Sequence, residues 1–327
     1  MSQDHSYRCL EVPGDAPFAL GPSKGKGWGA FATRRIERGT LILREKPLFV
    51  IQKAHDEITE QDIWTAFHQL QPKEKKQFLC LRDNDSRPFL RIIDAFAENS
   101  FSISAHPPTR GIFLLQSRFD HSCIPNSKIP ATGGQSISRF ATRTIDAGEE
   151  ITFCYPTAFH CKTRDERHRE LRFICHCKAC LPGTPFQQLS DMRRTLIRGL
   201  QYLTLGHDFN GQRQTSASPI IFNSELKQAA EDFSIPISSR LIYNLLFMVL
   251  MEEEGLLDDF IIRRMTPSIR MTTTKFQTES NVRIARLAMA QETWLGKFCV
   301  AFMLHGRRDV ADDAIAEQLR MLHGLSV

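Results

Sequence analysis

Residues 118–127 read RFDHSCIPNS, a run with almost no apolar cover. Asp120, His121, Ser122 and Asn126 carry groups that are costly to bury unless hydrogen-bonded, so the stretch is either a solvated loop or a site. Two other segments stand out on either side of it. Residues 25–31, GKGWGAF, interleave glycines with Lys26 and Trp28 at the head of an apolar run. Glycine lets backbone approach a ligand closely and tolerates the positive φ of a tight turn. The segment lacks the spacing and the preceding strand of a dinucleotide fingerprint, and taken alone it is an ordinary glycine-rich turn. Residues 147–156, AGEEITFCYP, read as a turn and a short strand ending in Tyr155, by itself a plain hairpin.

The chain has 327 residues, about twice a typical domain, which predicts two structural units with cores large enough to fold without staples. The formal charge of +5 is spread along the chain, so there is no direct nucleic-acid signal. Leu241 to Met251, the longest apolar stretch, is interrupted by Tyr243 and Asn244 and is too short to cross a bilayer. The first ten residues lack the apolar core of a signal peptide. A soluble protein of the nucleus and/or cytoplasm is expected, with no membrane partner and its oligomeric state open.

There are nine cysteines, and Cys154, Cys161, Cys175, Cys177 and Cys180 crowd into one short segment. Without a secretory signal, such clustering points to metal or redox chemistry more than to a disulfide framework. Cys175, Cys177 and Cys180 offer three thiols within six residues, whereas a closed structural zinc site needs four ligands. Cys161 and His176 are nearby alternatives for the last place.

Short apolar runs between turn formers predict two or three strands from Trp28 to Ile51, with Pro47 at an edge or bulge. A change of period predicts a helical insertion from Thr59 to about Phe101, with Ile63, Phe67 and Leu70 on one face and Ile92, Ile93, Phe96 and Ala97 on another. Thr59 and Asp62 form a short version of a capping box. Strands are expected at Ser127–Pro130, Gln135–Ala141 and Glu150–Phe153, with a Gly133-Gly134 turn. Helices are expected at Arg164–Phe173, Leu189–Leu205, Ser224–Phe233, Ser238–Glu254, Val282–His305 and near Asp309–Leu322. Gly206–Pro219 and Thr266–Ser280 read as loops. His168, in the charged run RDERHRELR, reads as a residue on a solvated helix face.

Taken together and in order, the segments resemble the SET-domain methyltransferase family. GKGWGAF is similar to the family's N-terminal cofactor-binding turn, RFDHSCIPN to its Asn-His-Ser-Cys-x-Pro-Asn signature, and GEEITFCY to its Gly-Glu-Glu-x-x-x-x-Tyr segment. CHCKAC, residues 175–180, matches the post-SET zinc motif in the close spacing of the MYND-containing subfamily and of related fungal SET proteins. The resemblance covers about residues 20–182. It departs in three places: Asp120 stands where the family has Asn, Cys154 stands where many relatives have Asp, and the insertion carries no MYND cysteine cluster.

The resemblance implies an α+β fold: a SET-type β-fold of short strands with a helical insertion, a zinc-bound post-SET segment and an all-helical C-terminal domain. The expected divisions are an N-terminal extension at 1–19, the SET domain at 20–160 with its insertion at about 55–105, the post-SET segment at 161–185 and the helical domain at 186–327. The implied cofactors are S-adenosyl-L-methionine and zinc. Lys26, Gly27, Trp28, Asp120, His121 and Phe173 are the implied cofactor contacts, and Tyr155 the catalytic residue. Cys123, Cys175, Cys177 and Cys180 are the implied zinc ligands, and Phe153 would line the channel for the target amine. The implied activity is methylation of lysine on a histone or other protein. A SET fold kept as a binding scaffold, or adapted to a small molecule, is the alternative that Asp120 and the missing MYND finger raise.

Overall fold

The computed structural model describes residues 6–81, 91–130, 136–156, 158–171, 173–207, 221–275 and 279–305, with a few positions between 311 and 321. The Gly133-Gly134 turn, most of Gly206–Pro219 and most of the final expected helix lie outside these residues. The chain divides into two compact units, Met1–Tyr155 and Pro156–Val327.

The first unit opens with β1 (Phe18–Ser23) and β2 (Gly27–Ala32), an antiparallel hairpin in which Ser23 faces Gly27. Gly25 and Gly27 close its turn at φ 75° and 86°, a region that side chains with a Cβ avoid. After β3 (Leu41–Glu45) and β4 (Val50–Ile51) comes the insertion, α1 (Glu60–His68), α2 (Pro72–Cys80) and α3 (Ile92–Asn99). Thr59 does cap α1: its hydroxyl accepts from the Asp62 N–H, and the Asp62 carboxylate accepts from the Thr59 N–H at 2.9 Å. Ile63, Phe67, Leu70, Ile92 and Phe96 are buried in the insertion's core. Ala97 is exposed and Ala95 takes its inward place, because the turn of α3 puts position 95 on the face of Ile92 and Phe96.

The insertion ends in a hairpin that the helical pattern concealed, β5 (Ser100–Ala105) with β6 (Pro108–Ile112). Its serines and adjacent prolines weaken the strand pattern, yet Ile103 and Ile112 point inward. The rest of the unit is β7 (Asp120–His121), β8 (Ser127–Lys128), β9 (Ile137–Ala141) and β10 (Glu150–Phe153). The sheets run β1-β2-β10-β7, β3-β9-β8 and β4-β6-β5. Tyr7, Leu10, Phe18, Ile36, Phe119 and Ile151 belong to the core between them, so residues ahead of β1 contribute to it.

The second unit holds α4 (Arg164–Leu171), α5 (Pro185–Leu205), α6 (Ser224–Glu231), α7 (Ile237–Glu253), α8 (Asp259–Thr274), α9 (Glu279–Met289) and α10 (Trp294–Leu304). Thr184 and Pro185 start α5, and Gly206 ends it in the left-handed conformation at φ 71°. Two expectations fail here. Thr266 to Thr274 is helix, because Asp258 caps α8, Ile269 is buried, and Thr266 and Thr272 return their hydroxyls to carbonyls four residues back at 2.7 Å. Val282–His305 is two helices, since Thr293 caps a new one by accepting from the Gly296 N–H at 3.0 Å.

Candidate functional site

Strand pairing brings the three polar segments together. β10 lies antiparallel to β2, with Glu150 opposite Phe31 and Ile151 opposite Ala30. On its other side it runs parallel to β7, with Thr152 opposite Asp120 and Phe153 opposite His121. The hairpin of Lys26, Gly27 and Trp28, the Asp120-His121 pair and the strand leading to Tyr155 are thereby neighbours in one sheet. Asn126, buried, fastens this arrangement: its amide donates to the Glu150 carbonyl at 2.8 Å, and its side-chain oxygen accepts from the Thr152 N–H at 2.8 Å.

Glu150 is the hub at the hairpin side. The Ser23 hydroxyl donates to one of its oxygens at 2.7 Å and the Lys26 ammonium to the other at 2.9 Å. Gly29 leaves room for two carboxyls at once: a Cβ there would meet Glu150 Oε1 at 2.9 Å and Asp120 Oδ2 at 3.0 Å. Asp120 Oδ2 is buried and accepts no hydrogen bond among the described residues. Burial, together with the hydrogen bond and charge of Glu150, pushes the Asp120 carboxyl up to about 8. Burial alone would raise Glu150 too, but hydrogen bonds from Asp120, Lys26 and Ser23 outweigh it and hold Glu150 below its ordinary value. Two carboxyls this close titrate as a pair, and the opposed shifts favour the proton on Asp120 over Glu150.

Tyr155 leaves 46 % of its surface open while turning its hydroxyl inward to donate to the Phe119 carbonyl at 3.3 Å. Burial of the hydroxyl raises the phenol's pKa, and the charge of Asp120 adds to the rise. The Phe153 and Tyr155 ring centroids are 4.8 Å apart. The imidazole of His121 accepts the Tyr155 N–H at Nδ1 over 3.1 Å and places Nε2 3.2 Å from Cys123 Sγ. An accepting Nδ1 requires the proton on Nε2, which therefore points at the thiol.

The Sγ atoms of Cys123, Cys175, Cys177 and Cys180 lie within 4.8 Å of one another. Tetrahedral Zn–S bonds of about 2.3 Å would space the sulfurs about 3.8 Å apart, so this donor set suits zinc after a small contraction. The Cys175–Cys180 knuckle is braced from α4. Arg164 donates to the Cys180 carbonyl at 2.8 Å, and buried Arg167 donates to the Ala179 carbonyl at 2.9 Å and toward Cys180 Sγ at 3.4 Å. Cys161 and His176 stand outside the group: the Cys161 thiol donates to the Ala158 carbonyl and burial pushes it up to about 11, while His176 is exposed. Phe173 lies in the second unit, 43 % exposed. His168 is not on an open face; it is half-buried and its Nε2 is enclosed.

Sequence reasoning passed over several of these groups. Glu150 and Asn126 stand inside the quoted motifs, and their burial was the missing information. Arg139 carried a signal: alternation in ISRFA puts it on the inward face with Ile137 and Ala141. Arg167 carried none, since a run of charges with one buried member looks like a solvated helix.

Residues 27–156 match the SET domain family. Histone-lysine N-methyltransferase set5 of Schizosaccharomyces pombe is 31% identical over 189 residues, 54% of this chain and 54% of that protein. Histone-lysine N-methyltransferase SET5 of Meyerozyma guilliermondii is 43% identical over 76 residues, 21% of this chain and 15% of that protein. Histone-lysine N-methyltransferase SMYD3 of Mus musculus is 36% identical over 103 residues, 28% of this chain and 23% of that protein. The chain spans about half, or less, of the length of these relatives. Among the described residues no helix is long and apolar enough to cross a membrane. The three motifs stand on adjoining strands, and the residues that carry them, Gly25 and Lys26 apart, fall within the 27–156 match to the SET domain.

Proposed function

We propose that the protein is an S-adenosylmethionine-dependent protein-lysine N-methyltransferase. The observation that carries this reading is the pairing, within one four-stranded sheet, of β2 with its Gly27–Gly29 backbone, β7 with the Asp120 carboxyl and β10, which leads to Tyr155. The residues fit the cofactor: the absence of a Cβ at Gly29 lets the Glu150 and Asp120 carboxyls stand together, and Asp120 Oδ2, buried without a partner among the described residues, suits the ammonium of a methionine moiety once its carboxyl has lost its proton. When bound, the cofactor supplies an electrophilic methyl group on a sulfonium.

Lys26, Gly27, Trp28, Asp120, His121 and Phe173 are the residues that would hold it, and Glu150 fixes Lys26 and Asp120 in place. Tyr155 is the catalytic residue in this reading. Its hydroxyl and nearby backbone carbonyls orient the reacting groups, and such positioning supplies much of the rate of a two-reactant displacement. Phe153 and Tyr155 present apolar ring surface to the target amine. Loss of hydration there disfavours the ammonium and lowers the lysine pKa toward the neutral nucleophile. Cys123, Cys175, Cys177 and Cys180 would hold a structural zinc ion that contributes to folding.

The substrate in this reading is a protein lysine, and the protein acts in the nucleus and/or cytoplasm. Incubation with labelled cofactor and histones or lysate proteins should transfer label to lysine, and Tyr155→Phe should abolish most of it. Absence of transfer from a protein that binds the cofactor would redirect the assignment to a small-molecule substrate. A second reading, a SET fold retained as a scaffold, is favoured by Asp120 standing in the family's Asn position; calorimetry with no detectable cofactor heat would select it.

A further inference from the structure

Arg139 lies on β9, in the middle of the first unit's core, and is 0% exposed. Its guanidinium carbon stands 4.1 Å from the Phe119 ring centroid and 4.2 Å from that of Phe153, so the cation is clamped between two aromatic faces. In its own plane it donates to Gln116 Oε1 at 2.9 Å, to the Gln116 carbonyl at 3.3 Å and to Ser127 Oγ at 3.1 Å. The Ser127 hydroxyl passes the link onward to the Thr152 carbonyl at 2.8 Å. A side chain of β9 is thus tied through β8 to the strand that carries Phe153.

Both clamping residues also hold Tyr155. Phe153 meets its ring at 4.8 Å, and the Phe119 carbonyl accepts its hydroxyl at 3.3 Å. Burying a cation where a hydrophobe of equal volume could sit is unfavourable unless the group does something a hydrophobe cannot. A planar guanidinium sets the gap between two rings and fixes its own rotation by in-plane donors; lysine and the aliphatic side chains lack one or both abilities. Burial lowers Arg139 to about 9, with the charges of Tyr155 and Glu45 opposing, which leaves it cationic at neutral pH. Among the described residues it forms no ion pair, so its contacts to aromatic faces and neutral acceptors are the ones that anchor it.

We propose that Arg139 is a positioning and specificity residue for methyl transfer: its guanidinium fixes Phe153 and Phe119, and through them the Tyr155 ring and hydroxyl, and so sets the width of the amine channel. The inference rests on the proposed methyltransferase activity. It extends that activity to a residue that touches neither cofactor nor substrate, and to the number of methyl groups the channel admits.

The test uses the full chain carrying Arg139→Lys, which keeps the charge and loses the plane, and Arg139→Met, which keeps the volume and loses both. Ring resonances of Tyr155 are followed by NMR in tyrosine-labelled protein, which has four tyrosines in all. The expected result is movement of the Tyr155 resonances while those of Tyr202 and Tyr243 stay in place. Cofactor affinity should be unchanged, kcat should fall about tenfold or more by misplacement of the reacting groups, and the ratio of mono- to di- and trimethylated product should change. Wild-type Tyr155 resonances, kcat and product ratio in either folded variant would overturn the proposal, and so would failure of both variants to fold, which would make Arg139 a packing group only. Moved Tyr155 resonances in a protein that methylates nothing would retire the methyltransferase reading instead and leave Arg139's hold on the ring standing.

Discussion

His121 joins the backbone of Tyr155 to the thiol of Cys123, accepting the Tyr155 N–H at 3.1 Å on one ring nitrogen and facing the sulfur at 3.2 Å with the other. One imidazole therefore braces both the candidate catalytic residue and a candidate zinc ligand, as groups outside a metal's own ligands commonly do. Zinc analysis of the native protein should find about one equivalent, and Cys175→Ser should lose most of it. His121→Ala should lower both zinc retention and methyl transfer, and cost about 1–3 kcal/mol in denaturant unfolding because it orphans a buried donor. Normal zinc content and turnover in His121→Ala would show that the ring braces neither.

Asp120 and Glu150 predict two opposite pH trends. The Asp120 carboxyl is raised from its unfolded value to about 8 by burial and by Glu150, with Lys26 and Ser23 opposing and Tyr155 also in its field. A raised folded pKa means stability present at low pH that is lost as pH rises from about 4 through about 8. Glu150, held low, contributes in the reverse sense, present above its unfolded value and lost as pH falls. Urea midpoints of the native protein should therefore drop between pH 6 and pH 9 more than those of Asp120→Asn. Cofactor affinity should rise over the same interval as a cationic amine replaces the proton, and the rise should be absent in Asp120→Asn.

Gly29→Ala tests the cradle. The added methyl would meet Glu150 Oε1 at 2.9 Å and Asp120 Oδ2 at 3.0 Å, so both carboxyls must shift to admit it. Overpacking of this kind costs about 1–3 kcal/mol. Cofactor affinity measured by calorimetry should fall about tenfold or more as Glu150 and Asp120 are displaced. Unchanged affinity would place the cofactor elsewhere.

In the second unit, Glu254 is buried between Arg193 and Arg194, with both N···O distances 2.8 Å. Glu254→Gln leaves buried cations without their counter-charge, which costs about 3–5 kcal/mol. Denaturant unfolding should show that loss, and replacing Arg194 as well should not double it, since the two changes remove one interaction.

The local chemistry of the site was legible because each motif advertises an immediate need. Gly25 and Gly27 answer a turn at positive φ, Thr59 and Asp62 answer the unpaired N–H groups of a helix start, and three close thiols answer a metal. Their order along the chain carried the resemblance to the SET family, and the SET domain match over residues 27–156 falls on the same motifs. The hairpin β5–β6 was not legible, because serines and prolines blur a two-residue period that only long-range burial of Ile103 and Ile112 reveals.

Sequence alone determined which residue types were available for the chemistry and, by helix and turn signals, where most elements begin. Tertiary structure decided what those groups experience. The Asp120 carboxyl is pushed up because strand pairing buries it beside Glu150 over Gly29. Arg139 is sealed between Phe119 and Phe153 because inward-facing side chains from β9 and β10 meet the same core. Ionisation and orientation depend on neighbours distant in the chain, and local pattern carries no information about who those neighbours are.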